Sequence, residues 1–354
     1  MLLITHEWKK NHFGGRQQYS RCLIKSLNKN NYKDFKIYNI NPYTKQSFFD
    51  KFFSLKTDYL SNIDILNIIK IIKKNKTKII IIDCSTMGLL CKKIKSLNKD
   101  IKIVIIHQHI ECSFFVKLFY NSKNIKNLFI AFKMYINEYL STKYSDKQIF
   151  FTKRDLNNAI ALFKSKNPEV LPIAQPATNN PEKNNNLIKL QKPYILFVGG
   201  GRLLPNNIGI LWFIKKVLSK IDLSLVVVGT GYEELAKKKF KKVIFLGKVN
   251  DLSHLYKNSE FVVAPIFSGS GMKTKVAESA GYGKTVFATG EAIIGYEKFE
   301  GKIFIKCQNE AEFIDNIKNY KKLIFEKEKI LEIFKKNYSI EAMSLNFNKL
   351  IKSV

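Results

Sequence analysis

The chain has 354 residues, 45% hydrophobic and 25% charged, with a net charge of +31; that length suits two domains of roughly 150 residues each, and the composition is that of a soluble globular protein rather than a disordered or fibrous one. The longest apolar runs, Ile79–Ile82 and Ile103–Ile106, are far short of the ~20 residues of a membrane-spanning helix, and the chain enters an apolar strand at Leu2, so no signal peptide is expected. Five cysteines without a CxxC pair read as reduced thiols and argue against a disulfide framework or a thiolate metal site.

Strands and helices alternate along the chain, the pattern of a doubly wound α/β protein. In the first half, strand Leu2–Ile4 leads through a loop carrying Gly14 and Gly15 into a helix from about Arg16 to Asn28. Tyr19, Leu23 and Leu27 mark that helix's buried stripe. Further strands are predicted at Phe35–Tyr38, Lys78–Asp83, Lys102–Ile106 and Gln148–Phe151, with a long helix near Ile125–Lys143. Residues 179–191, rich in Asn, Pro and Lys, read as a linker. The expected domains are 1–180 and 193–330, joined by a linker at 181–192, with a terminal helical part at 331–354. In the second half the strands are Tyr194–Val198, Leu223–Val228, Val243–Leu246, Phe261–Ala264 and Thr285–Ala288. A helix over Asn206–Lys220 turns Ile210, Ile214, Val217 and Ile221 toward the sheet. The remainder, about Glu310–Ile351, is helical and Lys-rich.

The segment Phe267–Gly283 carries most information. Gly269 and Gly271 open a loop after the buried strand, where backbone can approach a ligand closely. A helix follows over Lys273–Ala280, stopped by Gly281 and Gly283. Lys273 and Lys275 sit in its first turn, where the macrodipole is already positive. Two lysines beside free amides suit a bound anion, phosphate above all. Glu278 lies on the face of Lys275 and offers a carboxylate to sugar hydroxyls. The competing reading is an ordinary strand-loop-helix unit with a solvated Lys/Glu face.

Other pieces of the second half accompany this segment in a fixed order: Tyr194–Arg202, Pro205–Phe213, Leu225–Gly231, Phe245–Leu252 and Lys284–Thr289. Over about 194–296 the chain resembles the donor half of retaining family-4 glycosyltransferases, which have the GT-B fold: two Rossmann-like domains facing across a cleft. The first half matches more loosely, through Gly14-Gly15 and Lys143–Asp155.

The resemblance implies a diphosphate site at Gly199, Gly200, Gly201 and Arg202, together with the amides of Gly269, Ser270, Gly271 and Met272 and the cations Lys273 and Lys275. Glycines there let amides reach a phosphate, and Arg can grip it bidentately; a tight turn with a surface Arg is the alternative. Gly229, Gly231, Lys248 and Val249 would border the nucleobase, and Glu278 would hold the ribose hydroxyls. Two departures stand out. Pro205, Asn206 and Asn207 occupy the region of the family's second cation, and Ser270 replaces the first glutamate of its Glu-x7-Glu motif.

His6, His12, His107 and His109 all follow strands of the first half. In the family a histidine after the strand 102–106 contacts the donor sugar; His107 and His109 both qualify. A satisfied loop is one alternative, and a metal site with Glu7 and Glu111 is another; the family implies no metal and no cofactor beyond a nucleotide-diphosphate sugar as co-substrate.

Residues 1–180 carry 31 Lys+Arg against 12 Asp+Glu, or +19, and the rest carry +12. Basic clusters at Lys70–Lys78 and Lys92–Lys99 either meet an anionic membrane or lipid-linked acceptor or are solvated helix faces. No nucleic-acid signature accompanies the charge. The resulting expectation is a metal-independent glycosyltransferase acting on a cell-surface glycan or lipid-linked acceptor, with retention. It would be either free in the cytoplasm or peripheral on the inner face of the membrane. An inverting transferase, a sugar-nucleotide epimerase and a non-catalytic nucleotide-sugar-binding subunit are the competing expectations.

Overall fold

The computed structural model describes residues 1–6, 14–29, 35–41, 60–176, 190 and 193–354. The expected linker lies almost wholly outside these residues, as do Glu7 and His12.

The described chain clusters into two units. The first comprises Met1–Pro172 with Ser270–Met272 and Met343–Val354; the second comprises Ile173–Gly269 and Lys273–Ala342. Each is built on a six-stranded sheet in which every pairing is parallel.

The first sheet has β1 (Leu2–His6), β2 (Lys36–Ile40), β3 (Ile79–Ile82), β4 (Lys102–His107), β5 (Lys147–Phe150) and β6 (Pro168–Val170), in the order β2-β1-β3-β4-β5-β6. Its central strands are nearly continuous Ile/Val runs because helices cover both faces; Ile80, Ile81, Ile82 and residues 103–106 are all buried. The helices are α1 (Gly15–Lys29), α2 (Asn62–Lys74), α3 (Gly88–Leu97), α4 (Glu111–Ser122), α5 (Lys126–Tyr144) and α6 (Lys153–Phe163). Tyr19, Leu23 and Leu27 of α1 are buried, as their spacing predicts.

The second sheet has β7 (Tyr194–Val198), β8 (Ser224–Val228), β9 (Val243–Gly247), β10 (Val262–Ala264), β11 (Val286–Ala288) and β12 (Phe304–Lys306), in the order β12-β11-β10-β7-β8-β9. Helices α7 (Leu204–Lys216), α8 (Glu233–Ala236), α9 (Ser253–Asn258) and α10 (Thr274–Gly281) connect the strands. The helix expected to run to Lys220 ends at Lys216 and tightens into a 3-10 turn over Leu218–Lys220; Ile210, Ile214, Val217 and Ile221 are nonetheless all buried.

The helical remainder is broken into α11 (Glu310–Lys318), α12 (Tyr320–Leu323), α13 (Lys327–Asn337) and α14 (Ile340–Lys352). One break has a clear cause. The Tyr338 carbonyl accepts from the Gln175 amide, and Gln175 and Ser339 form a parallel bridge, so that backbone is diverted from helix into sheet-like pairing. Within the first unit, Ser344 of α14 donates to the carbonyl of Ser26 in α1.

In both sheets the strand order reverses next to the first strand of the unit, at β1/β3 and at β7/β10. Open α/β sheets bind ligands at the carboxyl ends of strands at such a switch point. For the second unit this selects the loops after β7 and β10, which hold Gly199–Arg202 and Gly269–Lys273.

Candidate active site

Three segments at the carboxyl edge of the second sheet, after β7, after β8 and at the end of β9, lean on one another. Gly199 N–H donates to Val228 O, Gly201 N–H to Thr230 O and Gly229 N–H to Gly247 O. A Cβ on Gly229 would fall 2.3 Å from Gly199 O, one on Gly201 2.4 Å from Gly231 O, and one on Gly231 2.7 Å from the Arg202 amide nitrogen. These glycines therefore serve loop-to-loop packing, and the amides of Gly199 and Gly201 are already engaged. Gly200 differs, since a Cβ there would meet nothing closer than 3.7 Å.

Under this glycine shelf lies Lys275. Its side chain is buried, with Nζ donating to Asn206 Oδ1 at 2.9 Å and standing 4.1 Å from the centroid of the Phe197 ring. Nζ would also be 3.0 Å from a Cβ on Gly199. Among the described residues no carboxylate pairs with it. Burial, reinforced by Lys273 and opposed by Glu278, pushes the Lys275 ammonium down to about 7. Asn206 bridges the site, because its Nδ2 donates to Gly200 O at 2.9 Å. The neutral side chain that stands near the family's second cation thus braces both Lys275 and the glycine loop.

Glu278 is half-buried one turn along α10. Burial pushes its carboxyl up to about 7, while Tyr256 and Lys275 pull the other way. Tyr256 brings a buried hydroxyl near it without the geometry of a hydrogen bond, and Tyr282 stacks on the Tyr256 ring at 4.2 Å. Lys273 is the N-cap residue of α10 rather than a member of its first turn, and its Nζ pairs with Glu291 at 3.0 Å. That pair lies above the loop, 3.5 Å from a Cβ built on Gly269.

Two residues outside the sequence reading hold this geometry. The Tyr296 hydroxyl accepts from the Ala277 amide at 3.2 Å and donates to Lys273 O at 2.8 Å, so it clamps the start of α10. Gly209 of α7 lets the chain pass where the loop begins: a Cβ would land 1.8 Å from Pro265 O. Arg202 and Lys248 are exposed, and Val249 is half-buried.

The first unit gathers a separate polar cluster at the carboxyl edge of its own sheet. Asp83, buried after β3, accepts from Thr5, Ser20 and Gln108. Burial raises its pKa, and Arg16 and these donors oppose that rise. Arg16 Nη2 contacts His6 Nδ1 and Cys84 Sγ. Arg16, Cys84, Ser85, Gln108, His109 and Glu111 line a cavity of about 10 Å³, room for one water molecule. His109 Nε2 pairs with Glu111 at 3.2 Å. Burial disfavours the imidazolium, but the Glu111 carboxylate outweighs it and the pKa rises.

His107 stands apart from this cluster. It is fully buried, stacked on Phe150 at 4.4 Å, and neither ring nitrogen has a partner. Burial holds it down to about 3, with His109 adding to the effect. Gly14 and Gly15 are exposed at the start of α1. Gly271, at φ 62°, has its would-be Cβ 2.7 Å from Gln108 O. Glu138, which sequence reasoning missed, is fully buried and accepts from the amides of Glu111 and Cys112, capping α4. Burial pushes it up to about 7. Among the described residues no group of three or more His, Cys, Asp and Glu is placed to hold a metal.

Two parallel sheets flanked by helices, each with its polar residues at a switch point, define the GT-B class of fold. Structures of the class align over the whole chain. The Anabaena Alr3699/HepE protein, solved with UDP and glucose, aligns with a TM-score of 0.67 at 11% identity, covering 100% of this chain and 99% of its own. Sucrose-phosphate synthase from Thermosynechococcus elongatus aligns with a TM-score of 0.74 at 13% identity, covering 99% and 98%. A lipopolysaccharide outer core galactosyltransferase, WaaB, gives 0.63 at 14%, covering 99% of both chains. At these identities the likeness establishes the fold. Residues 192–321 match the family model described as glycosyl transferases group 1. Comparison with curated proteins found no match.

Proposed function

We propose that the protein is a glycosyltransferase that takes a sugar from a nucleotide-diphosphate sugar and passes it to a hydroxyl of a cell-surface glycan or lipid-linked acceptor. The observation that carries this reading is Lys275. A buried ammonium with a neutral oxygen partner is costly, and an arriving diphosphate supplies the missing anion. The Phe197 ring offsets part of the cost meanwhile. Exposed Arg202 is free to swing onto the outer phosphate oxygens, and Glu278 accepts from the ribose hydroxyls. The matched group 1 model over these same residues supports the donor class, and the Anabaena protein was solved with UDP and glucose.

On this reading the chain's work is to position the donor and stabilise the departing diphosphate. The transfer would proceed with retention, the donor phosphate taking the acceptor proton on the face the leaving group vacates. The lysines and Arg202 would do the work that a metal does elsewhere. Activity is then expected to survive thorough chelation. Lys275→Ala and Arg202→Ala should each lower turnover by about 2–4 kcal/mol of transition-state stabilisation. The test is a panel of nucleotide sugars, UDP-glucose first, scored for transfer or donor hydrolysis and for the anomer formed. Ligand binding without turnover of any donor would favour the non-catalytic subunit, and an inverted product would remove the retaining mechanism.

A further inference from the structure

Helix α5 is inside out. Its inward stripe holds Ala131, Asn137, Glu138, Ser141 and Thr142, all buried against neighbouring helices. Its outward stripe runs Ile125, Leu128, Phe132, Tyr135 and Tyr139, steps of three and four that keep one helical face; Tyr135 alone of these also meets a buried ring, Phe163 of α6, at 5.6 Å. Phe129 lies beside it. Ile125 is 66% exposed, Phe129 70% and Phe132 61%, and Tyr120 at the end of α4 is 65% exposed. A surface helix normally turns its apolar stripe to the core and its polar residues to water. Single exposed apolar residues are ordinary, but a contiguous stripe marks a surface that something covers. Nineteen helical residues make it about 28 Å long at 1.5 Å per residue.

Charge identifies what covers it. Residues 112–144 contain five lysines and one acidic residue, Glu138, which is buried. Lys117, Lys123, Lys126 and Lys143 are exposed along the stripe. Lys123 and Lys143 lie over the rings of Tyr120 and Tyr139, at 5.7 Å and 5.8 Å. A second copy of the chain docked here through the same face, about a two-fold axis, would set lysines against lysines, a like-charge arrangement that opposes association. Phe and Ile flanked by Tyr and Lys, without exposed acid, is instead the chemistry of an anionic bilayer surface: apolar groups enter the acyl boundary and cations meet lipid phosphates. No helix among the described residues is long and apolar enough to cross a membrane, so contact is in the plane of the interface.

We propose that the outer face of α4 and α5, centred on Phe129 and Phe132, docks the protein on anionic lipid bilayers. This puts membrane contact on α4 and α5 rather than on the clusters Lys70–Lys78 and Lys92–Lys99, which the sequence alone singles out. The proposal needs no sugar nucleotide and stands apart from the donor reading.

The test is cosedimentation of the full chain with vesicles of phosphatidylcholine alone and of phosphatidylcholine with phosphatidylglycerol in a two-to-one ratio. Wild type should bind the mixed vesicles and scarcely bind the neutral ones. Phe129→Ser with Phe132→Ser should lower the partition coefficient at least roughly tenfold, since buried apolar area sets interfacial binding. Lys123→Glu with Lys126→Glu should lower it comparably, while Lys92→Glu with Lys93→Glu should leave it within about twofold. All these residues are on the surface, and unchanged melting temperatures would verify that the variants fold. Three outcomes would overturn the proposal: no binding of wild type to mixed vesicles, undiminished binding by the phenylalanine variant, or a concentration-dependent dimer in sedimentation velocity that this variant abolishes.

Discussion

Lys275 and Glu278 set the pH behaviour expected of the donor site. Both titrate near 7 without ligand, in opposite senses for binding. A diphosphate favours the charged ammonium, so affinity should fall as pH rises through the Lys275 pKa. Ribose hydroxyls favour the ionised carboxylate, so affinity should also fall as pH drops through that of Glu278. Nucleoside-diphosphate affinity measured by calorimetry from pH 5.5 to 9 should pass through a maximum near neutrality. Glu278→Gln should flatten the acid limb and, by removing the carboxylate that opposes the effect of burial on Lys275, move the alkaline limb to lower pH. A pH-independent affinity would remove both residues from the site. The motif residues were legible in the sequence; their burial was not. A lysine in a first turn looks solvated, and only the β7 loop and Asn206, some seventy residues earlier in the chain, close over it.

His107 illustrates the opposite sign of linkage. Its folded pKa of about 3 lies below the ordinary 6.5, so between these values the unfolded chain binds the extra proton. Stability contributed by neutral His107 is therefore present above pH 6.5 and is lost as pH falls toward 3, at a cost on the order of 5 kcal/mol. Replacing the unpartnered imidazole by an apolar side chain removes that loss. His107→Leu should unfold at distinctly lower pH than wild type in an acid titration; an unchanged acid midpoint would show that the ring has polar partners in solution. The His-x-His pattern was plain in the sequence, but which ring faces the core depends on the strand continuing to His107.

At the scale of elements, the donor loop is held by two contacts that no local pattern announces. Tyr296→Phe removes the hydroxyl that joins the Ala277 amide to the Lys273 carbonyl. The variant should lose about 1–3 kcal/mol, because a buried N–H is left unpaired, and should bind donor less well as the start of α10 loosens. Gly209→Ala should lower both the melting temperature and ligand affinity, since the methyl must displace the Pro265 backbone at the root of the loop. Thermal melts compared with ligand titrations separate the two effects, and a Gly209→Ala protein with wild-type affinity would contradict the role given to that contact. Strands of continuous Val, Ile and Leu were readable because burial on both faces writes itself into composition. The three-residue edge strands β6 and β12 were too short to carry a period. The glycines at 199–201 suggested phosphate access, and Gly229 and Gly231 a border of the nucleobase pocket. Most are fixed instead by loops touching across the sheet, and sequence does not tell which loops are adjacent. Helix α5 was visible as a helix, yet its period does not say which stripe faces inward.

For the whole molecule, the chain combines two switch-point sites with a strongly basic surface. Alternating strand and helix signals made the two-unit architecture legible, together with the ordered motifs of the second half; the first-unit cluster around Asp83, Arg16 and Glu138 was not, because its members are scattered over more than a hundred residues and meet only through the sheet. The central claim is that the second unit keeps a buried cation for a diphosphate, and calorimetric titration of wild type and Lys275→Met with UDP at pH 8 tests it most directly. Wild type should bind with proton uptake, seen as a heat that varies with buffer ionisation enthalpy. Lys275→Met should melt no lower than wild type, because at pH 8 the buried amine is largely neutral in the free protein and forms, among the described residues, no ion pair that the substitution would break. Its affinity should be roughly 10- to 150-fold weaker, the equivalent of about 1.5–3 kcal/mol for a hydrogen bond to a charged group. Equal affinity in the two proteins, with no proton uptake by either, would contradict the account.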